Sequence, residues 1–305
     1  MTPAALKSGF VSIVGRPNAG KSTLLNALVG QKVAIVADQP QTTRTTIQGV
    51  VNLPGAQIVF VDTPGIHQGD SPLNRRLMHS LRAAIEERDL LLFVADATRP
   101  FGEEDHRAIQ LAAKTGAPVL LVLNKIDRLP DKARLLPLIE QYQADHAFAD
   151  CVPVSALKGD GLAELRSAVI ERLPEGPAYF PEDYVTDQPE RFLAAELIRE
   201  KAIAATRQEV PHAVAVTVDR WEETPRLTRI FATIRVERPG QKRIVIGAGG
   251  AMLKKIGTEA RLEIERLFGI KVYLDLHVRV EEAWREKAIF LDALDWRTMS
   301  GEDDH

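Results

Sequence analysis

The sequence of 305 residues predicts two domains, a doubly wound α/β sheet followed by a smaller α+β domain. Short apolar runs alternate with helical patterns as far as residue 172, which is the order of a parallel sheet covered by helices. Four prolines within residues 173–189 interrupt this order. Beyond them the pattern begins with a helix and two strands, which is typical of an α+β domain.

The first predicted strand, Phe10–Val14, leads into a glycine-rich loop and a helix that ends near Gly30. Residues 15–22 have the pattern G-x-x-x-x-G-K-S, in which backbone N–H groups converge on phosphate oxygens. Lys21 is expected to reach the β- and γ-phosphates, and the Ser22 hydroxyl is expected to bind Mg²⁺. The residues predicted to line the phosphate site from this loop are Asn18, Ala19, Gly20, Lys21, Ser22 and Thr23.

The remaining elements of the first domain follow from turn residues and hydrophobic periodicity. Pro54-Gly55 predicts a turn between two strands of a hairpin. Later apolar runs are continuous, as expected for strands that are buried on both faces. The predicted strands are 45–53, 57–61, 90–95, 119–123 and 151–154, and the predicted helices are 74–87, 104–115, 133–143 and 161–172.

Polar motifs follow the strands, at the edge where such sheets bind ligands. Asp62 is placed to hold the water shell of Mg²⁺, and the N–H of Gly65 can meet the γ-phosphate. In Asn124-Lys125-Ile126-Asp127, the carboxylate of Asp127 can accept two hydrogen bonds from guanine, which adenine cannot offer. The motif therefore predicts GTP and GDP as ligands. A further contact to guanine O6 is predicted at Ser155, Ala156 and Leu157.

The bulk composition is that of an ordinary soluble protein, 45% hydrophobic and 27% charged. No apolar run approaches the ~18 residues that span a bilayer, and no apolar stretch before the first strand suggests a secretory signal. Cys151 is the only cysteine, which excludes an intramolecular disulfide; we expect it in the core of a cytoplasmic protein. Residues 190–280 carry 17 basic against 12 acidic side chains, and residues 281–305 carry 3 against 8.

The second domain contains a candidate RNA site. Ile244–Ile246 is interpreted as a strand that runs into Gly247-Ala248-Gly249-Gly250 and then a helix, so that the loop brings its backbone close to nucleotide phosphates. The last strand, 271–280, alternates apolar and polar residues, which predicts one buried face. The predicted RNA-binding residues are Lys242, Arg243, Ile246, Gly247, Ala248, Gly249, Gly250, Lys254 and Lys255.

Taken together, the motifs of the first domain resemble the TrmE–Era branch of the P-loop GTPases. Gly-Arg-Pro-Asn-Ala-Gly-Lys-Ser at 15–22, Gln-Thr-Thr-Arg at 41–44 and Asp-Thr-Pro-Gly-Ile at 62–66 carry the resemblance. It implies that Thr43 is the Mg²⁺ ligand that senses the γ-phosphate, with Thr42 as the alternative. With Ser22 and Asp62, Thr43 completes the expected metal site.

One substitution bears on the expected mechanism. Ile66 stands where Ras-like enzymes carry a glutamine that orients the attacking water, and an isoleucine cannot bond to water. In similar GTPases a K⁺ ion held partly by the loop asparagine is implicated, and Asn18 matches that residue. K⁺ stimulation is left open here. We expect His67 to be a surface residue. The predicted catalytic group is Lys21, Thr43, Gly65 and Asn18.

The second domain resembles a type II KH domain, an RNA-binding module, through its G-x-x-G loop, Lys254-Lys255 and order of elements. A GTPase domain followed by a KH domain is the arrangement of the Era GTPase family. The resemblance implies binding near the 3′ end of small-subunit (16S) rRNA and a role in 30S assembly. Related loops usually carry a basic residue where this chain has Ala248, which weakens the expected phosphate contact.

The predicted boundaries are 1–173 for the GTPase domain, 174–189 for the linker, 190–283 for the KH domain and 284–305 for a tail. Trp284 and the apolar residues after it could form a docking helix for a partner or membrane, but packing on the KH domain is the favoured interpretation. We expect a monomer that does not bind DNA. The alternative function is an RNA-binding assembly chaperone in which the nucleotide is mainly structural. A tRNA-modification GTPase of the same branch is less favoured, since the sequence shows neither a folate-binding domain nor a catalytic thiol.

Overall fold

The computed structural model describes residues 6–37, 39, 42–65, 71–86 and 88–296. These residues form two compact units. The first consists of described residues within 6–34, 43–65 and 74–187, and the second of those within 35–42, 71–73 and 188–296. No helix among the described residues is long and apolar enough to cross a membrane.

The first unit is a twisted sheet with helices, in the predicted alternation. Its strands are β1 (Leu6–Gly15), β2 (Ile47–Leu53), β3 (Ala56–Asp62), β4 (Leu90–Asp96), β5 (Val119–Asn124), β6 (Asp150–Pro153) and the short β7 (Glu175–Gly176). Its helices are α1 (Lys21–Val29), α2 (Pro72–Ile85, which belongs to this unit from Asn74 onwards), α3 (Glu103–Ala113), α4 (Leu135–Asp145) and α5 (Leu162–Arg172). The α/β prediction is confirmed, with element ends that differ by at most four residues.

The strand order β2-β3-β1-β4-β5-β6 places β1 at the point where the order reverses. Neighbouring strands from β3 to β6 are parallel, whereas β2 pairs with β3 in antiparallel register as the predicted hairpin. β4 and β5 are almost wholly buried, which explains their continuous apolar sequences. The carboxyl ends of β1, β3, β4 and β5 therefore meet at one edge, where this class of sheet binds ligands.

The predicted linker, 174–189, is ordered along the first unit over most of its length. β7 pairs with the beginning of β1, and the Ser8 hydroxyl donates to the carbonyl of Pro177 at 2.7 Å. Further along, Val50 N–H donates to the carbonyl of Val185 at 2.8 Å. On the linker side these contacts are made by backbone groups, which is why hydrophobic periodicity gave no sign of them.

The second unit contains a three-stranded sheet with helices on one face. Its elements are α6 (Glu190–Ala205), α7 (Val210–Ala213), β8 (Ala215–Thr224), β9 (Leu227–Val236), α8 (Pro239–Ile246), α9 (Ala251–Phe268), β10 (Val272–Val280) and α10 (Ala288–Ala293). The sheet order is β10-β9-β8, with β10 parallel and β8 antiparallel to β9. As predicted, β10 buries Val272 and Val278 while Tyr273 and Arg279 are exposed.

The predicted strand at Ile244–Ile246 is wrong, because these residues form the last turn of α8. Pro239 occupies the first turn of α8, where its missing N–H costs nothing. The side chain of Gln241 accepts hydrogen bonds from the N–H groups of Glu237 and Arg238, both at 2.9 Å, and so caps the helix. Three consecutive apolar residues cannot distinguish a strand from a buried helical turn by periodicity alone.

The tail packs on the second unit, as expected. Trp284 is fully buried, and its indole N–H donates to the carbonyl of Ala213 at 2.8 Å. Leu291 is also buried, but Ile289 is 87% exposed, so the expectation is wrong for that residue. Cys151, predicted in the core, is only partly buried; burial raises the pKa of its thiol to about 11.

Candidate functional site

The phosphate loop connects β1 to the N-terminus of α1. Gly20 precedes the helix with left-handed backbone angles (φ 93°, ψ 28°), and a Cβ atom there would lie 2.4 Å from Asn124 Nδ2. Only glycine fits this position. Gly20 has no side chain that could cap the helix, so the first N–H groups of α1 are directed towards whatever binds ahead of it.

The side chain of Lys21 lies inside this loop. Its ammonium group donates to the carbonyl oxygens of Gly15 at 3.2 Å and Arg16 at 3.0 Å. Burial lowers the pKa of Lys21, and the nearby negative charge of Asp62 opposes that shift. These two hydrogen bonds of the buried cation go to neutral carbonyls, so an anionic ligand would add compensating charge to that of Asp62.

Three oxygen-bearing side chains gather beside Lys21. The Ser22 hydroxyl donates to Asp62 Oδ2 at 2.6 Å and lies 2.9 Å from Thr43 Oγ1. Thr43 Oγ1 also donates to Asp62 Oδ2 at 3.4 Å. The hydroxyl of Thr42 instead donates to the carbonyl of Gln39 at 2.6 Å. The structure therefore brings Thr43, and not Thr42, to Ser22 and Asp62.

This cluster fits a magnesium ion. Asp62 is fully buried, and its second oxygen, Oδ1, has no hydrogen-bond partner among the described residues. Burial raises the pKa of Asp62, while Lys21 and the two hydroxyl groups lower it. Hydroxyl and carboxylate oxygens are the donors that Mg²⁺ prefers. Among the described residues, no group of three or more His, Cys, Asp or Glu side chains offers a rival metal site.

The guanine motif is tied to the phosphate loop by Asn124. Its Nδ2 donates to the carbonyl of Ala19 at 2.9 Å, and its Oδ1 accepts from the N–H groups of Lys125 at 2.8 Å and Ala156 at 3.0 Å. Asp127 is exposed, and its Oδ1 accepts from the Ser155 hydroxyl at 2.6 Å. Asn124 thus acts as a brace, while the carboxylate of Asp127 is oriented and remains accessible to a base.

The other predicted nucleotide residues lie around this group. Gly65 follows β3, and a Cβ there would lie 3.1 Å from Pro17, so the two loops approach closely. Thr23 is half-buried in α1, and Leu157 is 66% exposed. Ile66 and His67, which were singled out in the sequence, lie outside the described residues.

Sequence reasoning missed two acids that contact this site. Asp96 Oδ2 accepts from Lys125 Nζ at 2.7 Å, and Asp105, only 1% exposed, accepts from Arg16 Nη1 at 2.7 Å. Asp96 could have been found, because it ends a buried strand as Asp62 does. Asp105 lies in the first turn of α3 and gives no such signal, since acids are common there.

The predicted RNA loop lies in the second unit, between α8 and α9. Gly247 has a φ of 74°, and a Cβ there would lie 2.7 Å from Met252 Cβ. Gly250 precedes α9 with left-handed angles, and no side chain caps that helix. The side chains flanking the loop are largely accessible: Arg243, Lys254 and Lys255 are exposed, whereas Lys242 and Ile246 are half-buried. Ala248 and Gly249 are exposed at the tip.

Known protein families match sequence in both units. A family model described as a 50S ribosome-binding GTPase matches residues 10–125, and a KH domain model matches residues 209–285. The GTPase Era of Geobacter metallireducens is 52% identical over 96% of this chain and 99% of its own length. The GTPase Era of a Synechocystis strain is 49% identical over 93% of this chain and 90% of its own.

Two solved structures resemble the whole chain. One is Era in complex with MgGDPNP and nucleotides 1506–1542 of 16S ribosomal RNA, and the other is Aquifex aeolicus Era bound to GDP.AlF4-. Each has a TM-score of 0.93 and 41% sequence identity, and each alignment covers 95% of this chain and 99% of the other. The likeness therefore extends through both units.

Proposed function

Because the chain belongs to the Era GTPase family, we propose that it is a GTP-hydrolysing switch that binds small-subunit rRNA near its 3′ end and acts in 30S assembly. GTPase activity is the property of the family. The observation that carries the proposal is the gathering of Ser22, Thr43 and Asp62 beside the buried Lys21. This set is suited to a nucleoside triphosphate, since it pairs a cation with a cluster of metal-binding oxygens.

The side chains have separate roles in nucleotide binding. Lys21 balances the charge of the β- and γ-phosphates, and Asp127 accepts hydrogen bonds from the guanine edge. Ser22, Thr43 and Asp62 would hold Mg²⁺. When bound, that ion supplies further charge neutralisation at the phosphate oxygens. The N–H of Gly65 would donate to the γ-phosphate, so loss of that phosphate would release both Thr43 and Gly65.

The catalytic water must be positioned without a glutamine, because Ile66 has no hydrogen-bonding side-chain atom. We assign part of this task to backbone groups of the switch segments and to K⁺ held by the side-chain amide of Asn18. A fixed cation beside the transferring phosphoryl group would stabilise charge in the transition state, as an arginine finger does.

The RNA role rests on the KH loop. In the solved Era complex, nucleotides 1506–1542 of 16S rRNA are bound. The corresponding loop here offers uncapped N–H groups after Gly250 and accessible cations at Arg243, Lys254 and Lys255. We propose that the GTP state changes how this domain presents itself to RNA, so that hydrolysis resets binding.

We further propose that the protein works as a monomer in the cytoplasm, on RNA and not on DNA. A single cysteine suits a reducing compartment. The domain limits predicted above, 1–173, 174–189, 190–283 and 284–305, are proposed as the functional division of the chain.

The proposal is tested by substituting Lys21→Ala, with Lys114→Ala as the control at an exposed lysine in the same unit. Because Lys21 stabilises the phosphate charge, we expect GTP hydrolysis to fall by at least ~100-fold, while Lys114→Ala leaves it unchanged. Binding to a 3′-terminal fragment of small-subunit rRNA is expected to persist in both variants. Hydrolysis is measured as phosphate release.

Three further measurements separate the candidate functions. RNA crosslinked to the protein in cells should map to the small ribosomal subunit, and adducts elsewhere would contradict the rRNA role. RNA affinity should differ between the GTP-analogue and GDP states. If Lys21→Ala supports 30S assembly as well as the wild-type protein does, the nucleotide is structural and the chaperone alternative is correct.

A further inference from the structure

The carboxylate of Asp96 is held next to the guanine motif, residues 124–127, but it has no role in the proposed function. Asp96 and Asn124 are register partners at the ends of β4 and β5. Asp96 Oδ1 accepts from the N–H of Thr98 at 3.0 Å and from its hydroxyl at 2.6 Å. The other oxygen, Oδ2, accepts from Lys125 Nζ at 2.7 Å. The side chain is 10% exposed and is held at both oxygens.

The ammonium group of Lys125 joins this carboxylate to the phosphate loop. Besides Asp96, it donates to the carbonyl oxygen of Asn18 at 2.6 Å. The backbone of Lys125 is in the left-handed region, with a φ of 67°. Residues other than glycine rarely adopt this conformation, and the surrounding structure must hold them in it. The N–H of Lys125 is held by Asn124 Oδ1. Lys125 is therefore restrained at both its main chain and its charged end.

The charge of Asp96 makes this restraint effective. Burial on its own would raise the pKa of Asp96, but hydrogen bonds from Lys125 and Thr98 outweigh it and lower the pKa below the ordinary value. The group is thus a carboxylate at neutral pH. Ordering a lysine side chain costs rotamer entropy, and charge-assisted hydrogen bonds are the kind that can offset such a cost.

We propose that Asp96 is a positioning residue for the nucleotide, which holds Lys125 against Asn18 and so keeps the phosphate loop joined to the guanine-binding loop. The inference rests on the proposed function, since it assumes that a guanine nucleotide occupies this site. The link ends on the main-chain carbonyl of Asn18. It includes neither the side-chain amide of Asn18, to which the K⁺ role is assigned, nor the side chains of Ser22, Thr43 and Asp62. Its loss should therefore speed the departure of GDP and GTP alike and spare turnover of bound GTP.

The test replaces Asp96→Asn, which keeps the shape of the side chain and removes its charge. We expect fluorescent GDP and a fluorescent GTP analogue to dissociate about tenfold faster, and KM for GTP to rise while kcat stays within about twofold. Asp150→Asn is the matched control, because Asp150 also pairs with a cation, Arg172, at 3.1 Å in the same unit but does not contact the loop. The control should leave all three values unchanged.

A double-mutant cycle with Lys125→Met distinguishes positioning from a general loss of stability. If Asp96 acts through Lys125, Asp96→Asn adds nothing once the ammonium group is gone. The same loss in both backgrounds, or a fall in kcat with unchanged dissociation rates, would overturn the inference.

Thr98→Val supplies a second variant in case thermal unfolding shows that Asp96→Asn is not folded. It removes the hydroxyl that donates to Asp96 and should speed dissociation in the same direction by a smaller factor; unchanged rates would overturn the inference. A wild-type protein that binds no guanine nucleotide would refute the proposed function itself. If the wild-type protein hydrolyses GTP but the Asp96 and Thr98 variants release nucleotide at the wild-type rate, the positioning role alone is refuted.

Discussion

Two glycine-bearing loops of this chain lead into helices, and they use the same backbone device in opposite surroundings. Gly20 and Gly250 both precede a helix with left-handed angles, and neither helix has a side-chain cap. In the phosphate loop the adjacent cation, Lys21, is 6% exposed, whereas the side chain of Lys255 beside the KH loop is 61% exposed. The phosphate loop, residues 15–22, is therefore an enclosed loop, which can select a ligand by its geometry. The KH loop, residues 247–250, is an open loop, whose affinity for a ligand comes mainly from charge.

The largest expected effect comes from filling the enclosed loop with Gly20→Ala. The added Cβ would lie 2.4 Å from Asn124 Nδ2 and would displace the side chain that braces the loop. We expect the affinity for GDP to fall by at least ~100-fold, because the uncapped N–H groups would no longer converge on the phosphates. Isothermal titration calorimetry measures the change.

Gly30→Ala is the matched control at the other end of the same helix. Gly30 also has a positive φ, 85°, but nothing lies within 4 Å of an added Cβ. It should cost about 1 kcal/mol of folding stability and leave GDP affinity unaltered. Equal losses of GDP affinity in the two variants would show that backbone strain, and not the enclosure of the loop, causes the loss.

The same contrast explains what the sequence could predict. In the enclosed loop each residue has a tight chemical requirement, so the spacing of Gly15, Gly20, Lys21 and Ser22 predicts a phosphate site from the sequence alone. The structure places Thr43 beside Ser22 and Asp62, the two residues with which the family resemblance groups it. The contact made by Asp105 was not predictable. Arg16 and Asp105 are 89 positions apart, and only the folded sheet brings them to 2.7 Å.

Around the open loop the prediction was weaker. The RNA-binding role of the glycines and lysines stays a prediction. The strand predicted at residues 244–246 is wrong, because three apolar residues do not reveal a period. The cap by Gln241 that defines α8 depends on a side-chain hydrogen bond to the backbone of Glu237 and Arg238. Pro239 at the first helical position and Gln241 two residues later each favour a helix start, and together they could have corrected the assignment. Arg238 is not the Ser or Thr of a complete capping box.

The enclosed loop is also expected to contribute to catalysis. We expect K⁺ to accelerate GTP hydrolysis over Na⁺ by about tenfold, since a cation held by Asn18 would stabilise transition-state charge. Asn18→Gly should abolish the difference. Asn18 has a φ of 61°, so glycine removes the side chain without adding backbone strain. Hydrolysis is followed in buffers matched for ionic strength.

Asn18→Asp is the companion variant, because it retains an oxygen that can hold the cation and should preserve the preference for K⁺. If the wild-type protein hydrolyses GTP equally fast in the two salts, the loop binds the phosphates without this catalytic device. The phosphate loop and the KH loop would then differ in enclosure alone.

The smallest expected effect is at the tip of the open loop, where Ala248→Lys adds the basic residue that related loops usually carry. Ala248 is exposed, so the new ammonium group can reach an RNA phosphate without displacing another side chain. One added phosphate contact should steepen the dependence of log affinity on log salt by about 0.7 and tighten RNA binding at low salt. Ala204→Lys adds the same charge at an exposed position of α6 and should leave the slope unchanged. Fluorescence anisotropy across a salt series measures both, and equal slopes in the two variants would mean that the tip of the loop does not approach the RNA backbone.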